Sequence, residues 1–513
     1  MDFHSYSSKC AFSSLSDIKN KHITIMGLGL NGGGEAAVRF FLKHGAYVLV
    51  TDMKSESELK PTLEKLNNDA TLDTTRLTYC LGKHEIKDFE NADCVIKNPG
   101  VKYEGNKFLQ AAKVIETDLS IFLRFTNCPL IAVTGSKGKS STVSAIYYGL
   151  KEAGYKTFLG GNITVSPLTF IDQVNQDTPV IIEFSSWQLA DLRGRGILKP
   201  YISLITKIVP DHQNWYGNME DYVKDKRLIY QDQDEGCYSI FDFDDDEKGT
   251  GPSASLYPDT STWGQLFSNE SKATVLRYSK SPFSKKAYGV YQEQKDGAWE
   301  GRVILPNMEK AETILKDICV PGEHMKTNVL NAALVMYLMN IPSKKIIDIL
   351  ATFPGVDHRL QYFHTWTNSK GTKYKFYNDT CATVPEAASA ATQAFEKPVI
   401  LLTGGTDKGL ELDKFTSTVI NKDKKNISVK DLYFLEGSAT DKILPELDKS
   451  SIKYNGPFAN LNSLLQMLKT NLEKEENCGE QIVVFSPGAT SFGMFTNEFD
   501  RGNKFMTCVK QIF

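Results

Sequence analysis

Short apolar runs and segments with a helical period alternate along nearly the whole chain. The first cycle reads as a strand at "HITIMG", a glycine turn, a helix through "EAAVRFFLKHG" and a strand at "AYVLVTD". A second block opens on a buried strand, "CPLIAVTG", with further strands at "PVIIEFSS" and "YISLITKIV" and a helix at "MEDYVKDKRLIYQ". A third starts near "FPGVDHRLQYF" and carries strands at "KYKFYND", "PVILLTGG", "DLYFLEG" and "QIVVFSPG", with helices between. Parallel strands need long crossovers, usually helical, so this alternation predicts an α/β fold with parallel sheets. Three domains suit a chain of 513 residues, and are expected over 1–115, 116–352 and 353–513. Between about 231 and 320 the period weakens. There "FDFDDDEKGTGPSAS" is acidic, then rich in Gly, Pro and Ser, which predicts an irregular, solvated excursion; the spacing does not fit an EF-hand.

Composition narrows the class. A hydrophobic share of 41% with 24% charged residues is that of a soluble globular protein. A net charge of −3 supplies no broad basic face, so no nucleic-acid partner is expected. No apolar run approaches the roughly 20 residues of a membrane span, and "MDFHSYSSKCAFSS" lacks a signal-peptide core. A cytoplasmic location is expected. The nine cysteines include no CxxC pair, which argues against a disulfide framework and against a zinc site.

Two glycine loops carry the candidate chemistry. Gly27-x-Gly29-x-x-Gly32 follows a strand and opens a helix, and Asp52 ends the next strand. This is a dinucleotide-type fingerprint: glycines let the backbone approach a diphosphate at a helix N-terminus, and the acid can accept from a ribose hydroxyl. It does not distinguish NAD from another diphosphate. In the second loop Gly135, Ser136, Lys137, Gly138, Lys139 and Ser140 again join a buried strand to a helix. Backbone N–H groups there would cradle phosphates, Lys139 would reach the β/γ oxygens and the Ser140 hydroxyl would take Mg²⁺. Valine at 133 departs from the usual GxxxxGK[ST] spacing, so the loop is a shorter TG-x-x-GKS variant. An NAD-dependent oxidoreductase built on the first loop leaves Gly-Lys-Ser without a use. Glu183, after "PVII", and Asp211 with His212, after another strand, fall at the carboxyl edge of a parallel sheet, where ligands bind.

Taken in order, "TGSKGKSST", "IIEFSSWQL", "PDHQNWY" with "YVKDKRLIY", "GEHMKTNVLNAAL", "FPGVDHRLQ" and "SPGATSFGMFTNEFDRG" resemble the Mur ligase family. "GLGLNG", "SSWQL", "NDTCAT" and the C-terminal "SPGATS…FDRG" are most similar to the branch that adds D-glutamate to UDP-N-acetylmuramoyl-L-alanine; the "DNPR" of the diamino-acid branch is absent. The resemblance implies an N-terminal Rossmann-like domain for the UDP substrate, a central P-loop ATPase-type α/β domain and a C-terminal Rossmann-like domain. It implies an ADP-forming, ATP-dependent acid–amino-acid ligase of peptidoglycan precursor synthesis, acting as a monomer through an acyl phosphate with two Mg²⁺. Another Mur or a folylpolyglutamate-type ligase is the alternative within the family.

The same resemblance assigns roles. Gly135 to Ser141, Asn328, Arg359 and Asp379 are expected at ATP. Gly27, Leu28, Gly29, Asn31, Gly32, Asp52, Asn98, Gly100 and Asn162 are expected at the UDP substrate. Thr383, Lys408 and Ser491 would hold glutamate. Ser140, Glu183, His212 and a carbamylated Lys226 would hold metal, with Lys139, His212 and Lys226 in catalysis. An ammonium beside a divalent cation is repelled, whereas a carbamate carries −1 and supplies oxygen ligands. Two positions depart from the family: Cys381 stands where a lysine is usual, and "TDMK" replaces "DTR".

Overall fold

A computed structural model describes residues 3–513 apart from 31, 245–250, 296, 396, 408, 410, 421–427, 477, 478 and 492, and apart from the side chain of Lys414. The chain divides into two compact units, Met1–Lys316 with Thr327–Ile349, and Asp317–Lys326 with Leu350–Phe513.

The first unit holds two sheets. The N-terminal sheet comprises β1 (His22–Met26), β2 (Tyr47–Asp52), β3 (Leu77–Leu81), β4 (Cys94–Lys97) and β5 (Ile115–Glu116), all parallel, in the order β3-β2-β1-β4-β5. In β1 only His22 is exposed, the pattern of a strand covered on both faces. Strand order reverses between β1 and β4, and such a switch point opens a crevice at the carboxyl ends. Gly27 leaves β1 there and Asn98 leaves β4.

The second sheet contains β6 (Leu130–Thr134), β7 (Phe158–Gly161), β8 (Val180–Glu183), β9 (Ile202–Ile205), β10 (Tyr238–Asp242), β11 (Thr274–Ser279), β12 (Gly289–Lys295), β13 (Ala298–Ile304) and β14 (Glu312–Leu315). Its order is β14-β13-β12-β11-β10-β9-β6-β8-β7. It is parallel except at β12–β13 and β13–β14. Here the chain differs from the sequence expectation, because β10 to β14 lie in the stretch read as an irregular excursion. The strands were hidden by their half-solvated character. In β12, "GVYQEQK", burial falls away towards Lys295, so no continuous apolar run marks it. Residues 245–250 of the acidic stretch lie outside the described residues. Asp244 beside them accepts from the Ser279 hydroxyl and the Lys280 amide. One apolar cluster runs through the unit, including Ile25, Phe41 and Phe122 with Leu130, Ile182 and Ile205. Each such buried side chain contributes about 1.5–3 kcal/mol.

The second unit contains β15 (Gln361–Thr367), β16 (Lys373–Asn378), β17 (Val399–Gly404), β18 (Val429–Leu435), β19 (Asn455–Phe458) and β20 (Glu480–Phe485), in the order β15-β16-β20-β17-β18-β19. Only β15–β16 is antiparallel. Alternate residues feed two cores: Ile400, Leu402, Val483 and Phe485 on one face, Val399, Leu401, Ile482 and Val484 on the other. No helix among the described residues is long and apolar enough to cross a membrane.

Candidate functional site

At the first loop Gly27, Gly29 and Gly32 all take positive φ, and Gly32 caps the helix Gly33–Lys43. The tightest approach is elsewhere. A Cβ on Gly34 would lie 2.2 Å from the Leu28 carbonyl oxygen, so the helix packs against the loop through a glycine that the fingerprint spacing does not count. Asp52 is buried, and its Oδ2 accepts from the amides of Leu28 (2.9 Å) and Gly29 (3.1 Å), while Oδ1 accepts from Lys54. The acid expected to meet a ribose thus also organises the loop. Asn98 faces Gly27 across the strand ends: its Cβ would lie 3.2 Å from a Cβ placed there. Its Oδ1 accepts from the Gly100 amide. Gly27, Gly34 and Asn98 line a small crevice with Asp118, whose carboxyl is raised by burial and accepts from the Ser166 hydroxyl. Asn31 lies outside the described residues.

The second loop is braced from three sides. Gly135 and Gly138 have φ of 142° and 94°, and a Cβ on Gly138 would sit 2.6 Å from Asn328 Oδ1, so Asn328 lies against the loop. Lys139 Nζ donates to the carbonyls of Gly135 and Ser136, at 3.0 Å each. Burial lowers its pKa, against the raising fields of Glu183 and Asp211. Ser136 Oγ donates to the Val209 carbonyl and shares a 2.9 Å hydrogen bond with the Tyr222 hydroxyl. Ser140 and Ser141 open the following helix, Lys139–Glu152, and the exposed Lys137 reaches Asp211 at 3.7 Å.

Lys226 lies on the helix Met219–Gln231, 2% exposed, whereas its neighbour Lys224 is exposed. Its ammonium donates to the Gly135 carbonyl at 2.9 Å and lies 4.6 Å from the centre of the Tyr222 ring. Burial, and after it the Lys139 charge, push its pKa well below the ordinary lysine value. Two lysines therefore share one carbonyl. Tyr222, one helical turn before Lys226, was missed by the sequence reading; the i,i+4 spacing on one face is the signal that could have found it.

Glu183 is buried at the end of β8. Oε1 accepts from Asn162 Nδ2 at 2.8 Å, and Oε2 is buried with no hydrogen-bond partner. An orphaned carboxylate oxygen beside the second glycine loop fits a Mg²⁺ ligand. Among the described residues no three His, Cys, Asp or Glu side chains gather as a metal cage. Mg²⁺ suits such a poor donor set, since it keeps several waters and shares phosphate oxygens. His212 is exposed, with φ of 51°, and its ring lies 5.0 Å from that of Trp187 and 6.2 Å from that of Tyr222.

In the second unit Asp379 is buried. It accepts from Ser486 Oγ at 2.6 Å and from the amide of Leu360, next to the exposed Arg359. Burial raises its pKa to about 7. Cys381 is half-buried and its thiol is raised by burial, so it is neutral at pH 7 and restores no cation at that position. Ser491 lines a cleft of about 380 Å³ with Gly405, Thr490 and Arg501; Thr383 does not line it, and Lys408 lies outside the described residues. The buried Arg501 donates to Thr380 Oγ1 and to the carbonyls of Thr380 and Ala489, joining "NDT" to "GATS". "FDRG" had marked this segment, though not the role of its arginine.

Comparison with known proteins adds the following. A family model described as Mur ligase MurD-like, N-terminal domain, matches residues 21–117, and one described as Mur ligase middle domain matches 133–336. A protein of Treponema pallidum (strain Nichols), named UDP-N-acetylmuramoylalanine--D-glutamate ligase, is 36% identical over 97% of this chain and 98% of its own. One of the same name from Borreliella afzelii (strain PKo) is 37% identical over 97% and 99%. A solved UDP-N-acetylmuramate-alanine ligase of Thermotoga maritima superposes with a TM-score of 0.51 at 16% identity, covering 96% of this chain and 100% of that one, which speaks for the fold.

Proposed function

The chain belongs to the Mur ligase family, and on that premise we propose that it joins D-glutamate to UDP-N-acetylmuramoyl-L-alanine, converting ATP to ADP and phosphate, in the making of peptidoglycan precursors. The observation that carries the reading in this chain is the set around Gly135: Lys139, the buried Lys226 and the unpartnered Glu183 Oε2. Domains over 1–115, 116–352 and 353–513, a monomer and a cytoplasmic location belong to the same reading.

A carboxylate is a poor acyl donor to an amine. The γ-phosphoryl group of ATP passes to the alanyl carboxylate, giving an acyl phosphate and ADP. The glutamate amine then attacks the acyl carbon, the C–N bond forms, phosphate leaves and the amine loses a proton. Lys139 stabilises the charge that builds on the transferring group, and the backbone of Gly135 to Ser141 orients the phosphates. Ser140 and Glu183 would hold one Mg²⁺, and His212 with Lys226 as a carbamate would hold a second; bound there, the ions would neutralise phosphate charge. The low proton affinity of Lys226 supports carbamylation, which requires a neutral amine. Asn328, Arg359 and Asp379 bind ATP. Gly27 to Gly32, Asp52, Asn98, Gly100 and Asn162 bind the UDP substrate. Thr383, Lys408 and Ser491 bind glutamate.

Phosphate release tests the proposal directly. It should require ATP, UDP-N-acetylmuramoyl-L-alanine and D-glutamate together; turnover with L-glutamate, or with a different carboxylate substrate in place of the muramoyl compound, overturns it.

A further inference from the structure

Residues 3–12 form neither helix nor strand, yet they are gripped along their length. The Tyr6 amide donates to the Arg193 carbonyl at 2.8 Å. Arg193 Nη1 donates back to the His4 carbonyl at 2.7 Å, and Arg124 Nη1 to that of Ser8 at 2.8 Å. Tyr6 and Phe12 are buried.

Two further sets of contacts fall on the flanks of the loop 98–104, which follows β4. On one flank the Tyr6 hydroxyl donates to Asp191 Oδ1 at 3.1 Å, and Asp191 Oδ2 pairs with Lys97 Nζ at 2.8 Å. Lys97 ends β4, is 2% exposed, and also donates to the Asn98 carbonyl at 3.1 Å. A continuous polar chain thus runs from the N-terminal segment to the backbone of Asn98. Burial and the Asp191 charge push the Tyr6 phenol far up, so it remains a donor. On the other flank the His4 ring stacks on Tyr103, with centroids 3.5 Å apart and planes 16° apart, and the His4 amide donates to Glu104 Oε1 at 2.9 Å. Between the flanks, Lys102 Nζ lies 5.2 Å from the centre of the Trp215 ring. A buried lysine–carboxylate pair is held better as more of its lone pairs find donors, and the phenol supplies one to Asp191 Oδ1.

We propose that residues 3–8 are a positioning strap for the loop 98–104, and that Tyr6, through Asp191 and Lys97, fixes how Asn98 and Gly100 are presented to the UDP-sugar substrate. This rests on the reading that Asn98 and Gly100 face that substrate. Tyr6 is a positioning residue and touches no reacting atom.

Tyr6→Phe keeps the ring and removes the hydroxyl, and His4→Ala releases the other flank. Each is compared with wild type in full-length enzyme, varying UDP-N-acetylmuramoyl-L-alanine, ATP and D-glutamate in turn. For Tyr6→Phe the KM for the UDP-sugar should rise roughly tenfold, the size of one buried charged hydrogen bond. The kcat and the KM for ATP should stay within about twofold; His4→Ala should raise the same KM by roughly threefold. An unchanged UDP-sugar KM in folded Tyr6→Phe overturns the strap. So does an equal rise in all three KM values, or a fall in Tm alone. If Tyr6→Phe does not fold, His4→Ala decides by the same criterion. Calorimetry of UDP-N-acetylmuramoyl-L-alanine on the wild type separates the two levels: no binding there defeats the substrate reading itself, and the strap with it.

Discussion

At the first glycine loop the amides of Leu28 and Gly29 close on the Asp52 carboxylate; at the second, the Gly135 carbonyl takes both Lys139 and Lys226. In the first, donors that could meet a phosphate are held by a full negative charge from the same sheet. In the second, cations that could meet a phosphate rest on a neutral acceptor. Both sets of bonds involve an ion, so they differ in what is held: at the first loop the backbone amides themselves are fixed, whereas at the second two long lysine side chains share one carbonyl and can exchange it for another partner. Rigidity suits recognition of a substrate that is bound but not broken at that end. Exchangeable cations suit a group that is transferred.

The largest expected effect breaks the second loop. Lys139→Ala should lower kcat by about 10²–10⁴, the cost of removing an electrostatic stabiliser from a transition state, with the UDP-sugar KM little changed. Lys226→Ala should fall in the same range while the exposed Lys224→Ala stays near wild type; CO₂-depleted enzyme should lose activity and regain it with bicarbonate. Steady-state phosphate release reads all four. Next, Gly34→Ala strikes the first loop, since its new Cβ would lie 2.2 Å from a backbone oxygen. About 3 kcal/mol of stability should be lost in urea titrations, and UDP-sugar binding should weaken while ATP binding survives.

A smaller effect is expected from Asp52→Asn, which keeps the shape but removes the charge that holds the two amides. The cost should be about 1–2 kcal/mol, seen in Tm and in the UDP-sugar KM, with no change in the KM for ATP. The smallest is a pH slope. Lys226 binds its proton less tightly folded than unfolded, so the unfolded chain carries the extra proton between the folded pKa and about 10.4. Stability should therefore rise with pH across that window, by at most about 1.4 kcal/mol per pH unit. Lys226→Met should flatten the slope in CO₂-free thermal melts.

Much of this was legible from residue order. Buried parallel strands announce themselves as apolar runs, and the strands carrying Gly27, Gly135 and Glu183 are of that kind. What escaped notice depends on contacts between distant residues. Gly34 looks like one glycine among three until the Leu28 carbonyl is seen beneath it. The segment "FDRG" does not show what Arg501 does until Thr380 and Ala489 enclose it. The strands of 289–315 lie at one end of their sheet, where polar residues such as the buried Gln292 and the half-buried Glu293 break up the apolar run.

The brace on the second loop also has a consequence for biosynthesis. The groups that hold Gly135 and Ser136, Lys226 and Tyr222, lie 91 and 86 residues downstream of them. At about 5–20 residues per second, a ribosome needs roughly 5–20 s between making the loop and completing the helix that supports it. During that interval the nascent loop lacks both its buried amine and its phenol, so its braced form can be acquired only after the helix Met219–Gln231 has emerged and docked.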